Sequence, residues 1–228
     1  MILKKNLFLF ASIATLSLLN SCKKDEKPDS SEKTITLQPG PNDGNDVYVS
    51  WLSDNSSWAN SNNSNNENTN RELSAVAWTF NGALSLTRSY ISFDLSQIPS
   101  DKEIVSAKLS LYGPSSSNVS PQGNAGDNKI IIQQVTDNWN ESTLTWNTQP
   151  TVSTINQIEV GPVAGAFNID LNNIDVTLLV KAMRLSPNKT GGFMIKLKDE
   201  AISRSLCLTS SESNDPTRRP KLEVVYKN

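Results

Sequence analysis

Apolar and polar residues alternate with a period of two along much of this chain. Val105, Ala107, Leu109 and Leu111 are separated by Ser106, Lys108 and Ser110. Ile91, Phe93 and Leu95 alternate with Ser92 and Asp94, and Phe193, Ile195 and Leu197 with Met194, Lys196 and Lys198. Leu222, Val224 and Tyr226 alternate with Lys221 and Glu223. A period of two places successive side chains on opposite faces of an extended strand, so each run predicts a strand with one buried and one solvated face. Residues 46–52, 73–79, 129–136, 157–163, 166–171 and 205–210 add further candidate strands. Many short strands punctuated by Gly, Pro, Asn and Ser predict an all-β sandwich or barrel. With 220–226 as the closing strand, both ends of the domain are expected at sheet edges.

One segment departs from this period. Val176, Leu179, Val180 and Met183 recur at helical spacing, Asp175 can cap the start, and Ser186-Pro187-Asn188 ends the run. A single short helix is expected there, packed against one end of a sheet. Two stretches look like loops. Residues 54–70 read DNSSWANSNNSNNENTN, too polar to bury, with Trp58 as the one large apolar group. Residues 115–127 form a second Gly/Ser/Asn-rich loop.

The N-terminus follows a different logic. Lys4 and Lys5 precede an apolar stretch from Leu7 to Leu19, which is too short for a spanning helix of roughly 20 residues and suits a signal-peptide core. It ends Leu19-Asn20-Ser21-Cys22, which resembles a bacterial lipobox, with Asn20 a mild departure. The resemblance implies cleavage before Cys22 and acylation of its sulfur. Lys24-Asp25-Glu26 resembles the surface-export tag of lipoproteins in some Gram-negative bacteria. The expected organisation is a lipoprotein signal peptide over 1–21, a flexible tether over 22–33 and one β-domain over 34–228. The expected location is the outer membrane, lipid-anchored and facing outward.

Composition then removes function classes. The 228 residues carry 21 Lys and Arg against 23 Asp and Glu, so no basic excess points to nucleic acid. Histidine is absent, which excludes His-based triads and His metal sites in this chain. With Cys22 lipidated, Cys207 has no disulfide partner and reads as a small core residue. Asp199-Glu200 are adjacent in a turn and offer no paired-carboxylate geometry. No catalytic residue is expected.

Several blocks occur in order: TITLQPGPNDGNDVYVSWL, RSYISFDLSQIPSDKEIVSAKLSLYG, VTDNWNESTLTWNTQP, IDVTLLVKAM, GGFMIKLKDE and RSLCLTSSESNDPTRRPKLEVVY. The ordered set resembles the DNRLRE domain, classed as carbohydrate-binding module family 96, from about Thr34 to Tyr226. Residues 74–86 match poorly, and the first loop is longer and richer in Asn than usual. The resemblance implies a jelly-roll-like antiparallel β-sandwich and, through characterised members, binding to alginate, an acidic polysaccharide.

A uronate ligand calls for cations. Arginine offers two parallel hydrogen bonds to a carboxylate. Arg88 and Arg204 open strand-like blocks, Arg219 precedes the last strand, and Arg71 and Arg218 neighbour loops. Each is a candidate ligand contact; the alternative is pairing with Asp94, Asp199, Glu200 or Asp215 to hold strand ends together. Sugar rings stack on rigid aromatic faces. Among Trp51, Trp58, Trp78, Trp139 and Trp146, the loop residue Trp58 is the candidate platform, and Trp139 and Trp146 read as core. No cofactor is expected. Asp43, Asp46, Asp170 and Asp175 could donate oxygens to a structural Ca²⁺, although their spacing fits no calcium-loop signature.

The leading expectation is a monomeric, non-catalytic surface lipoprotein that captures a uronate-containing polysaccharide and meets the membrane only through its lipid. The alternative is a surface adhesion or structural module without a specific sugar. An enzyme, as a polysaccharide lyase or glycosidase, is a third possibility that the missing histidine and nucleophile motif disfavour.

Overall fold

A computed structural model of the chain describes residues 31–66, 71–185 and 191–228. Its strands are β1 (Glu32–Leu37), β2 (Asn45–Leu52), β3 (Glu72–Phe80), β4 (Ala83–Ser92), β5 (Ile104–Tyr112) and β6 (Ile130–Val135). After them come β7 (Val152–Val160), β8 (Asp170–Asp175), β9 (Gly192–Leu197), β10 (Arg204–Thr209) and β11 (Lys221–Lys227), with one helix, α1 (Thr177–Leu185), between β8 and β9. All pairings are antiparallel. One sheet runs β1-β11-β5-β8; the other runs β10-β3-β4-β9-β6-β7, with β2 also paired to β4. The fold is therefore an all-β antiparallel sandwich with one short helix, as the alternation predicts. The signal peptide, Cys22, Lys24-Asp25-Glu26 and most of the tether lie outside the described residues. β1 starts at Glu32, ahead of the expected domain start at Thr34.

The main core lies between the sheets. Leu109, Leu111, Leu222 and Val224 come from one side, and Ile91, Ile130, Ile132, Phe193 and Ile195 from the other. Each such full burial contributes about 1.5–3 kcal/mol relative to exposure. Leu179, Val180 and Met183 bring α1 into the same core. The Asp175 carboxylate accepts from Thr177 N at 3.0 Å and Thr177 Oγ1 at 2.6 Å, satisfying donors at the helix start. Arg184, in the last helical turn, donates to the Ile98 and Pro99 carbonyls at 2.7 Å each. The expected stop at Ser186-Pro187-Asn188 lies outside the described residues.

The larger sheet is packed on both faces. Tyr90 and Met194 are register partners next to the inward-facing pair Ile91 and Phe193. The strand period turns Tyr90 and Met194 outward, where they join Val47, Val49, Val135 and Leu144 under Trp139, Trp146 and Val152. Trp139 and Trp146 thus close a second small core, in line with their reading as packing residues.

Some boundaries differ from the pattern. β4 covers 83–92, so Phe93 and Leu95 lie beyond it, Leu95 in a 3₁₀ turn (Leu95–Gln97) whose Ser96 N donates to Asp94. β7 starts earlier than the expected 157–163, and β8 lies later than 166–171. Both are largely exposed, both pair across a register shift, and each holds an Asn at positive φ, Asn156 at 59° and Asn173 at 58°. A solvated, irregular strand has no clean alternation to read. The last strand is not at an edge: β11 sits between β1 and β5, so of the two terminal strands β1 alone is peripheral. Nor is the Asn-rich loop left wholly to solvent. Asn63 is buried and donates to the Tyr48 carbonyl at 3.1 Å, and Asn62 donates to the Glu141 and Leu144 carbonyls at 2.6 and 2.7 Å. An amide side chain offers two N–H donors, which lets a polar segment pack where backbone carbonyls need partners.

Candidate functional site: two adjoining grooves

β2 and β4 pair with Tyr48 opposite Ser89, Ser50 opposite Thr87 and Leu52 opposite Ser85. Tyr48, Ser50, Ser85 and Thr87 project into a groove of about 380 Å³. Its walls come from loops. On one side the loop after β2 turns into a short 3₁₀ segment, Trp58–Asn60. Asn55 sets that turn by accepting from Ser57 N at 3.1 Å and Ser57 Oγ at 2.6 Å. Trp58 then meets Phe80, with ring centroids 5.2 Å apart and planes inclined by 45°. Phe80 ends β3 just before Asn81-Gly82, whose φ values of 50° and 89° make the tight hairpin to β4. Phe80 is 49% exposed, so part of its ring is open to a ligand in the groove.

The facing wall carries Asn118, Val119 and Pro121. That loop is anchored through Glu72, a buried carboxylate that accepts from Ser117 Oγ and from Asn118 N, the latter at 2.7 Å. Burial pushes the Glu72 carboxyl above its usual range, and these donors pull it back. With both oxygens occupied, Glu72 acts as an anchor.

Asn118 also lines a second groove of about 500 Å³, formed with Arg71, Glu72, Gly113, Pro114, Ser115, Ser116, Asn168, Thr209, Ser213, Asn214, Asp215 and Arg218. Here the walls are polar and carry both charges, Arg71 and Arg218 beside Glu72 and Asp215. Arg71 is exposed, and its guanidinium has no ion pair among the described residues. Arg218 is held in place: it pairs with Asp170 at 2.9 Å, donates to the Gly113 carbonyl at 2.5 Å and lies 5.5 Å from the centre of the Tyr112 ring. Asp215 caps the turn that carries Arg218 by accepting from Thr217 N and Oγ1, which with the hydroxyl contact first holds its carboxyl low.

The structure thus brings Trp58, Arg71 and Arg218 to two grooves that share Asn118. The other three candidate arginines line neither groove. Arg88 grips Glu200 with Nε and Nη2 at 2.7 and 2.8 Å, and its guanidinium carbon sits 4.5 Å from the centre of the Trp146 ring. Arg204 pairs with Asp199 at 2.7 Å. Arg219 donates from Nε to the Ser213 carbonyl at 3.1 Å. Phe80 is not among the sequence candidates; the signal for it is an aromatic residue directly before an Asn-Gly turn. Tyr48 lies inside an ordinary strand pattern.

The grooves combine apolar ring faces, hydroxyl and amide groups and one cationic end. Such walls can stack on and hydrogen-bond a ligand that is itself half CH surface and half hydroxyl. The model of carbohydrate-binding module family 96 matches this chain over residues 43–226. No curated protein matches it.

Proposed function

The chain belongs to carbohydrate-binding module family 96, and from that premise we propose a non-catalytic module that lays one polysaccharide strand across both grooves. Stacking on Trp58 and Phe80 holds one sugar, and a uronate carboxylate further along the strand meets Arg71. The observation that carries this reading is the shared residue Asn118, which lines both the groove with Trp58 and Phe80 and the groove with Arg71. An alginate-like acidic polysaccharide is the ligand class that uses both halves. Upstream, we place a lipid on Cys22 and the domain on the outward face of the outer membrane, where it captures glycan for the cell.

An exposed carboxylate–guanidinium contact contributes on the order of 1 kcal/mol or less, and weakens as salt screens it. Micromolar affinity, near -8 kcal/mol, therefore needs stacking and several hydrogen bonds as well. In calorimetric titrations with alginate oligosaccharides, Trp58→Ala is expected to reduce affinity at all salt concentrations. Arg71→Ala is expected to reduce it mainly at low salt and to flatten the salt dependence. Tight, salt-independent binding to a neutral glucan would remove the uronate from the model and leave stacking in charge. Absence of binding to any glycan would turn the reading toward adhesion.

A further inference from the structure

Away from both grooves, three carboxylates from distant parts of the chain converge: Asp46 at the start of β2, Glu141 in the loop between β6 and β7, and Glu212 after β10. One oxygen of each lies within 4.8 Å of the others. Asp46 is only 3% exposed. Its oxygens accept from Ser211 N at 2.8 Å and Ser211 Oγ at 2.9 Å, and its own N–H donates to Glu141 Oε2 at 2.9 Å. None of the three carboxylates forms an ion pair with Lys or Arg among the described residues. A second observation is independent of the clustering: Glu212 Oε2 is sealed from solvent and receives no N–H or O–H among the described residues, while Oε1 accepts from Ser211 Oγ at 3.2 Å. Buried carboxylate oxygens without a donor or a cation are costly, and three carboxylates at this range also repel one another.

We propose that Asp46, Glu141 and Glu212 form a structural Ca²⁺ site. Two oxygens bound to one Ca²⁺ at 2.3–2.6 Å lie at most roughly 5 Å apart, so the observed spread fits a single ion. An all-oxygen, carboxylate-rich donor set with no nitrogen or sulfur selects a hard cation. The ion would supply the partner that Glu212 Oε2 lacks and tie together three segments with no local connection. It would also brace the loop bearing Trp58, since Asn62 hangs from the Glu141 and Leu144 carbonyls. Of the sequence candidates for calcium, only Asp46 takes part; Asp43 accepts from Gly40 N, Asp170 pairs with Arg218, and Asp175 pairs with Lys108.

The competing arrangement is a proton shared among the carboxylates. Burial first, and then the Glu212 charge, raise the Asp46 and Glu141 carboxyls above their usual range.

The test is thermal unfolding and calorimetric titration of the purified protein after chelator treatment, with CaCl₂ added back. At an excess about 100-fold over the dissociation constant, Ca²⁺ is expected to raise Tm by roughly 5–10 °C. The near-isosteric Glu212→Gln should abolish the calcium response while leaving the chelated protein as stable as wild type or more so, because it removes a repelling charge. No heat and no Tm change with millimolar CaCl₂ would overturn the site. So would a calcium response that survives both Glu212→Gln and Glu141→Gln. An equal response to MgCl₂ would overturn the assignment to calcium.

Discussion

Replacing Arg88 with Met separates a ligand contact from a structural one. The side chain is about three-quarters enclosed, at 24% exposure, and Glu200 opposite is at 19%. Arg88 makes two charge-assisted hydrogen bonds to Glu200 at 2.7 and 2.8 Å, a third to Gln149 Oε1 at 3.2 Å, and a face contact with Trp146. Met keeps much of the apolar stem but strands the Glu200 carboxylate. An unpaired, partly buried charge costs about 2–3 kcal/mol, and loss of the cation–π contact adds about 0.5–1 kcal/mol. The sum is roughly 2.5–4 kcal/mol, or about 5–15 °C in Tm for a domain of this size. Urea unfolding of the wild type, Arg88→Met, Glu200→Gln and the double variant gives the coupling directly, and the double variant should be more stable than either single loss predicts. Alginate affinity, measured on folded protein, should not change. The reasoning is refuted if Arg88→Met unfolds within 0.5 kcal/mol of wild type yet binds alginate at least tenfold more weakly, for then the guanidinium serves the ligand.

Asp175→Ala should cost about 1 kcal/mol at neutral pH through loss of the α1 cap. The Lys108 and Thr177 contacts lower the Asp175 carboxyl to about 2; a depressed carboxyl stabilises the fold above its unfolded value and loses that contribution as pH falls toward the folded one. The difference between wild type and variant in urea unfolding should therefore shrink between about pH 4 and pH 2; a constant gap would put the effect on packing instead. Cys22→Ser should leave an uncleaved precursor that no longer takes up labelled fatty acid, and protease added to intact cells should degrade the wild-type protein. Normal processing of the variant, or full protection of the wild type, would remove the lipid anchor or the outward display respectively.

Much of the sandwich is legible in the sequence because a strand buried on one face must alternate. Residues 105–111, 193–197 and 222–226 do so, and each lies within a strand. The helix is legible for the same reason: Val176, Leu179, Val180 and Met183 share a face, and an Asp stands where the exposed N–H groups need an acceptor. Where burial is weak, as in β7 and β8, the backbone ladder alone makes the strand, and side-chain pattern carries little of that information. The polarity of 54–70 points to solvent, yet Asn62 and Asn63 use that polarity to bind carbonyls inside the fold.

Trp58 can be singled out from sequence because a large ring in a polar loop has no neighbour in its own segment. That it meets Phe80 rather than a buried partner depends on the β3–β4 hairpin and the loop after β2 arriving at the same place. The five candidate arginines look alike in one dimension. Only folding assigns Arg88 to Glu200 and Arg204 to Asp199, and leaves Arg71 at the cationic end of a groove. The carboxylates of Asp46, Glu141 and Glu212 lie far apart along the chain, and no spacing rule joins them. Local pattern records which face of each element is apolar, since that depends on nearest neighbours alone. Which polar groups share a site is set by strand pairings between distant segments, so it exists only once the sheets have closed.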